Sequence, residues 1–186
     1  GQNSREGKID YFKGHFDGNG GKLDVTLSGT ETGIAPFHTV DGATIENLTV
    51  VGAIASEFEN STQNGYHGAG LVGTCSGTVT IRNCNIETYV ECDDYSGGIV
   101  GHGGSGKLIM ENCVFSGEIG WYKKFAGGLM GWCDNLTLVV KDCLFKGTFS
   151  PSAQSPGKCH PICMKWGDGK VAATVINTYY VNTVAP

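Results

Sequence analysis

Residues 97–120 read GGIVGHGGSGKLIMENCVFSGEIG, and this stretch decides the fold because it recurs. Its opening, Gly98-Ile99-Val100-Gly101, returns as Gly70-Leu71-Val72-Gly73, as Gly128-Leu129-Met130-Gly131 and, in degenerate form, as Pro161-Ile162-Cys163-Met164. Its second block, Met110-Glu111-Asn112-Cys113, returns as Ile81-Arg82-Asn83-Cys84, Val140-Lys141-Asp142-Cys143 and Val175-Ile176-Asn177-Thr178. An earlier copy is Ile45-Glu46-Asn47-Leu48. The Asn/Asp anchors at 47, 83, 112, 142 and 177 lie 36, 29, 30 and 35 residues apart. A period in this range marks a repeat architecture.

Aligned on the anchor, the copies share their apolar positions. Two residues before it stand Ile45, Ile81, Met110, Val140 and Val175; one after it stand Leu48, Cys84, Cys113, Cys143 and Thr178; three after it stand Val50, Ile86, Phe115, Phe145 and Tyr180. The period is 2 on both sides, which is the period of a strand with one apolar face. The parity slips by one at the anchor. Such a slip would turn a straight strand inside out, whereas a bend absorbs it, and Asn and Asp tolerate bends. Each copy therefore reads as strand, Asn corner, strand and glycine turn. One copy cannot bury its apolar face alone; stacking in register buries it continuously. The outward column Glu46, Arg82, Glu111, Lys141, Ile176 alternates in sign down four rungs, as neighbouring strands should pair charges. The expected fold is all-β: a single-stranded parallel β-helix (β-solenoid), right-handed, with about five rungs of roughly 30 residues. Residues 1–33 read as an N-terminal opening or capping rung, turn-rich over Phe12–Gly20 and alternating at Leu23, Val25 and Leu27. Residues 34–186 read as one continuous domain of repeats. So few rungs, with open ends that expose strand edges, lead us to expect a longer multi-domain chain.

Composition bounds the function. Thirty glycines among 186 residues lack a Gly-X-Y period, which excludes collagen. A hydrophobic share of 40% supplies a core. The net charge of −5 disfavours nucleic acid and anionic membrane as partners, since both attract basic patches. No apolar run is long enough for a transmembrane helix, so no membrane insertion is expected.

The three Gly-x-x-Gly segments, each followed by an Asn-Cys or Asp-Cys block, resemble the GLUG-motif repeats, and Phe12-Lys13-Gly14-His15-Phe16-Asp17-Gly18-Asn19-Gly20 is similar to the segment that often precedes them. The resemblance covers roughly residues 12–184. It departs at Ala35-Pro36-Phe37-His38 and Pro161-Ile162-Cys163-Met164, which keep the place but not the glycines. Such repeats occur in bacterial surface and secreted proteins, adhesin-like proteins among them. The resemblance thus implies a secreted or cell-surface bacterial protein with a scaffold or adhesive role, and it carries over no catalytic residues.

Cys84, Cys113 and Cys143 share an inward column, where stacked Cβ atoms about 4.8 Å apart exceed the roughly 3.8 Å of a disulfide; a buried free-thiol ladder is expected, flanked by the structural anchors Asn47, Asn83, Asn112, Asp142 and Asn177. Cys75, Cys92 and Cys133 lie near turns and could pair, though the sequence assigns them no partners. Cys159-His160-Pro161-Ile162-Cys163 is the most metal-like stretch, but zinc commonly needs a second such pair; Cys133 or His102 could approach from an adjacent rung, and a degenerate repeat start explains the stretch better. Asp17-Gly18-Asn19-Gly20 resembles half a calcium loop without its distal acid and reads as a glycine turn. No cofactor and no metal are expected. The Asn-x-Ser/Thr matches at Asn47, Asn60 and Asn135 carry no weight in a bacterial protein. Loops between copies vary, and there solenoids bind. Trp121, Tyr122, Lys123, Lys124 and Phe125 fall in one such loop, and Tyr89 and Tyr95 flank the preceding one. These side chains either form an exposed patch for sugar rings or a protein partner, or fold back as a cover.

The expected function is a non-catalytic, adhesin-like module that binds a host or environmental glycan or protein through its inter-rung loops. The alternative is a carbohydrate-active β-helix enzyme of polysaccharide lyase or hydrolase type. Its chemistry needs clustered carboxylates in a groove, whereas the outward acids here alternate with bases. A flat threonine face for ice is a third reading, but Ile109 and Val139 interrupt the Thr44, Thr80, Thr174 column.

Overall fold

The computed structural model describes residues 8–56, 66–92, 94–122, 125–150, 158–165 and 172–181. Among these there is no helix. Strands Ile9–Gly29 and Phe37–Ser56 come first, then His67–Ala69 with Val72–Cys92. Next come Tyr95–Gly97, Val100–Glu111, Val114–Phe115 and Glu118–Tyr122. The following coil holds Phe125–Gly127, Met130–Lys141, Leu144–Phe145 and Thr148–Phe149. Lys158–His160, Cys163–Lys165, Ala172–Ile176 and Tyr179–Tyr180 complete the order. All pairings are parallel and join each coil to the next, in one sheet of twelve strands and one of four. The molecule is a β-solenoid.

The count of coils differs from the expected five rungs. Ile34 bridges to Gly68, Gly68 pairs with Ser96, Ser96 with Ala126 and Ala126 with Cys159, so the chain returns to one face about four times. The segment before Ile34 supplies a partial coil. It is nonetheless built like the others: Ile9–Gly29 pairs along its length with Phe37–Ser56. The turn-rich reading of Phe12–Gly20 is therefore corrected to strand, bent at Asn19 (φ 50°). Two extra residues at that bend, between the Asp17–Glu46 and Gly21–Leu48 pairs, put Asn19 out of step with the later anchors.

The parity slip has the expected cause. Asn47, Asn83, Asn112, Asp142 and Asn177 all have positive φ, between 45° and 56°. This left-handed conformation costs most residues about 1–2 kcal/mol and is visited by Asn and Asp more readily than by others. It turns the chain between two faces, so both apolar sets point inward. Ile45, Ile81, Met110 and Val140 are fully buried on one side; Ile86, Phe115 and Phe145 are fully buried on the other. Phe115 and Phe145 stack 5.7 Å apart at 3°.

A third face, the short strands starting at His67, Tyr95, Phe125 and Lys158, is absent from the sequence reading, which assigned a glycine turn there. Its inner residues are small, Gly68, Ser96, Ala126 and Cys159, because coils approach closely at the following corner. A Cβ on Gly98 would sit 2.0 Å from the Gly128 carbonyl oxygen, and one on Gly128 would sit 2.1 Å from that of Pro161.

Candidate functional site

The anchors form a ladder of amides. Asn177 Nδ2 donates to Asp142 Oδ1 (3.1 Å), Asn112 Nδ2 to Asn83 Oδ1 (2.9 Å), Asn83 Nδ2 to Asn47 Oδ1 (3.0 Å), and Asn47 Nδ2 to Asp17 Oδ1 (2.9 Å). Every donor points toward the N-terminal end. A carboxylate can only accept, so Asp17 ends the ladder, and Asp142 interrupts it by taking a bond from Asn177 without passing one on. The Asn47 amide, and then the Asn19 backbone N–H, hold the Asp17 carboxyl below its ordinary value. The half calcium loop is thus a ladder terminus and a bend.

The cysteine column lies beside this edge. Cys84, Cys113 and Cys143 are 2%, 0% and 1% exposed, and all three are free thiols. Each donates to the carbonyl two residues back, Arg82 (3.3 Å), Glu111 (3.3 Å) and Lys141 (3.2 Å). Thr178 makes the same bond to Ile176 with its hydroxyl (2.9 Å). The column therefore wants a small side chain with a donor for the corner carbonyl. Cysteine meets this inside the core, and threonine in the last described coil. Cys75, Cys92 and Cys133 are also fully buried. His160 Nδ1 accepts from the backbone N–H of Ile162 (3.2 Å) and of Cys163 (3.4 Å), which fixes the degenerate Cys159–Cys163 turn. Among the described residues no three His, Cys, Asp or Glu side chains converge for a metal.

On the outward face the charge column forms as paired neighbours. Arg82 Nε donates to Glu46, His15 meets the same carboxylate, and Lys141 Nζ donates to Glu111 Oε1 (2.7 Å). The Arg82 guanidinium, then His15, depresses the Glu46 carboxyl. The outward acids of this column are held by bases.

The richest chemistry lies at another edge, where the short strands meet the strands that follow the Gly-x-x-Gly corner. Thr74, His102 and Trp132 are in register there, one per coil, beside the in-register His67, Tyr95 and Phe125. The rings interlock: His67 to His102 at 5.1 Å, His102 to Trp132 at 5.1 Å, Trp132 to Tyr95 at 4.5 Å, and Tyr95 stacked on Phe125 at 5.8 Å. Hydroxyls position His67, with Thr32 Oγ1 3.0 Å from Nδ1 and Thr74 Oγ1 2.7 Å from Nε2. Asp134 Oδ2 lies 3.3 Å from His102 Nε2. Tyr95 and Phe125 are the buried floor; Trp132 and His102 are half-buried above it. Burial first, and then the Asp94 and Asp134 carboxylates, raise the Tyr95 phenol, which keeps it a neutral donor. The strip joins partly open aromatic faces to a carboxylate-held imidazole.

The expected loop patch is redistributed. Tyr95 and Phe125 stand in short strands and serve as floor, not as exposed loop tips. Tyr89 sits on the face after the Asn corner, its Oη donating to Glu91 Oε2 (2.7 Å). Trp121 and Tyr122 close the Glu118–Tyr122 strand, where Tyr122 pairs with Cys92. Lys123 and Lys124 lie outside the described residues. His67 and Trp132 escaped the sequence reading, which met His102 only as a neighbour of the Cys159–Cys163 stretch, because the copies were aligned on the Asn anchor alone. Alignment on the Gly-x-x-Gly corner brings Thr74, His102 and Trp132 together one residue after it. Compared with models of protein families, with curated proteins and with solved structures, the chain gives no match.

Proposed function

We propose that this solenoid is a non-catalytic, adhesin-like binding module of a secreted or cell-surface bacterial protein, and that it takes a glycan on the Trp132–His102–Asp134 strip. The observation that carries this reading is the juxtaposition of half-buried rings with a hydrogen-bonding rim. A pyranose presents an apolar ring face bounded by hydroxyls, and amphipathic aromatic surfaces with placed polar groups suit such a ligand. The resemblance of the glycine corners to GLUG-type repeats supports the cellular setting. The outward acids Glu46 and Glu111 are ion-paired with bases, which gives the carbohydrate-active alternative no carboxylate pair to use in that column. The test is a glycan array read with the full chain and with Trp132→Ala and Trp121→Ala. Binding lost in Trp132→Ala and kept in Trp121→Ala is the expected result. Binding that survives Trp132→Ala refutes the site, and turnover of any arrayed polysaccharide refutes the non-catalytic reading.

A further inference from the structure

The ring strip is part of a longer outward column. Thr39 pairs with Thr74, Thr74 with His102 and His102 with Trp132, one residue from each of four successive coils. The residues that follow three of them, Val40, Cys75 and Cys133, are fully buried, so strand alternation turns the whole column outward. Imidazoles place its hydroxyls. Thr74 Oγ1 lies 2.7 Å from His67 Nε2. Thr39 Oγ1 lies 3.3 Å from His38 Nδ1, and the other nitrogen of that ring is 2.7 Å from the Thr32 carbonyl oxygen. A hydroxyl has one proton to give and two lone pairs, so each keeps bonding capacity beyond its imidazole. A second outward line runs beside the first, where Ser76 pairs with Ser105 and Ser105 with Asn135. It begins at Asp41, which pairs with Ser76 and is held by Lys13 Nζ at 2.7 Å and Tyr11 Oη at 2.8 Å.

We infer, resting on the glycan reading above, that the ligand is a linear oligosaccharide of at least three units, laid along the solenoid axis from Trp132 toward Thr39. Adjacent strands lie about 4.8 Å apart, so the three steps from Trp132 to Thr39 cover about 14 Å. An extended pyranose chain advances by about one strand spacing per unit, and each unit then meets one coil. Trp132 supplies the ring platform. His102, Thr74 and Thr39 on one side, and Asn135, Ser105 and Ser76 on the other, offer each unit hydrogen-bonding groups for its hydroxyls. A single sugar fills one coil and leaves the rest of the track to water. The polar group nearest the platform already follows the axis: Asp134 shares the strand of Trp132, yet its Oδ2 lies 3.3 Å from His102 Nε2 in the neighbouring coil.

Titration calorimetry of the full chain tests this with β-1,4-linked oligomers of glucose, N-acetylglucosamine, mannose and xylose, one to six units long. The chains compared are the unmodified protein, Trp132→Ala, Thr39→Lys and Glu87→Lys, the last at an exposed position on the other long face. The expected result is a series whose affinity rises about tenfold or more from two units to four. Trp132→Ala should remove binding, Thr39→Lys should bring the four-unit oligomer down to about the affinity of the two-unit one, and Glu87→Lys should match the unmodified chain. The length dependence of the unmodified chain is a readout free of any folding effect. Full affinity at one or two units overturns the axial track and leaves the Trp132 site standing, as does a four-unit affinity that Thr39→Lys leaves unchanged. Oligomers that all fail to bind overturn both readings.

Discussion

Replacing Asn83 tests the corner and the ladder together, because three substitutions separate what the residue does. Asn83 sits at φ 53°, donates to Asn47 Oδ1 and accepts from Asn112 Nδ2. Asn83→Gly keeps the backbone relaxed and removes both bonds. The side chain is exposed, so each bond falls at the low end of the usual 0.5–1.5 kcal/mol, and the loss is about 1–2 kcal/mol. Asn83→Ala removes the same bonds and adds the left-handed cost, for about 2–4 kcal/mol in all. Asn83→Asp reproduces what Asp142 does naturally: it accepts from Asn112 and cannot donate to Asn47, a loss of about 0.5–1 kcal/mol. Urea unfolding at pH 7, read by circular dichroism at constant m-value, should order the variants Asp, Gly, Ala from mildest to most severe. Equal cost for Gly and Ala refutes the left-handed corner as the cause of the parity slip. An Asp variant as damaging as Ala refutes the directed ladder.

Two further outcomes concern protons and thiols. Glu46 is depressed by Arg82 and His15, Asp17 by Asn47, and Asp41 by Lys13 and Tyr11, each below its ordinary value. Their stabilisation is therefore complete above the unfolded carboxyl values of 4.5 and 3.8 and lost as pH falls through the depressed ones. Urea midpoints should decline below about pH 4.5, and Glu46→Gln should flatten that decline; an identical profile in the variant refutes the pairing. In native protein a thiol reagent should reach Cys159 first, because burial pushes Cys75 up to about 12 and contact with Cys133 raises Cys163. Denatured protein should show all eight thiols, and fewer than three refutes the free-thiol ladder.

The two long faces of each coil were legible because their alternation is carried by large side chains, Ile81 and Ile86 or Met110 and Phe115, and because the Asn anchor marks where the alternation slips. The third face was not. Its strands are three residues long, and close coil contacts restrict its inner positions to residues such as Gly68, Ser96 and Ala126, which give no hydrophobic signal. The first coil was half legible: Leu23, Val25 and Leu27 declared a strand, while the extra residues around Asn19 hid the corner. The ring strip was illegible for a different reason. His67 and Thr74 are close in sequence, but His102 and Trp132 join them only through coil stacking, and the Asn-based alignment places them in a stretch where copies vary in length. Tyr95 and Phe125 looked like loop aromatics because the strand that holds them is made of small neighbours.

The in-register stacking of whole coils also sets how such a chain can change over evolutionary time. Coils anchored at Asn83 and Asn112 present the same kind of core column above and below, but their outward residues alternate as Arg82 and Glu111, so a segment duplicated two coils at a time slots between existing coils without setting like charges against each other. The number of coils is then an adjustable variable, counted in pairs rather than singly.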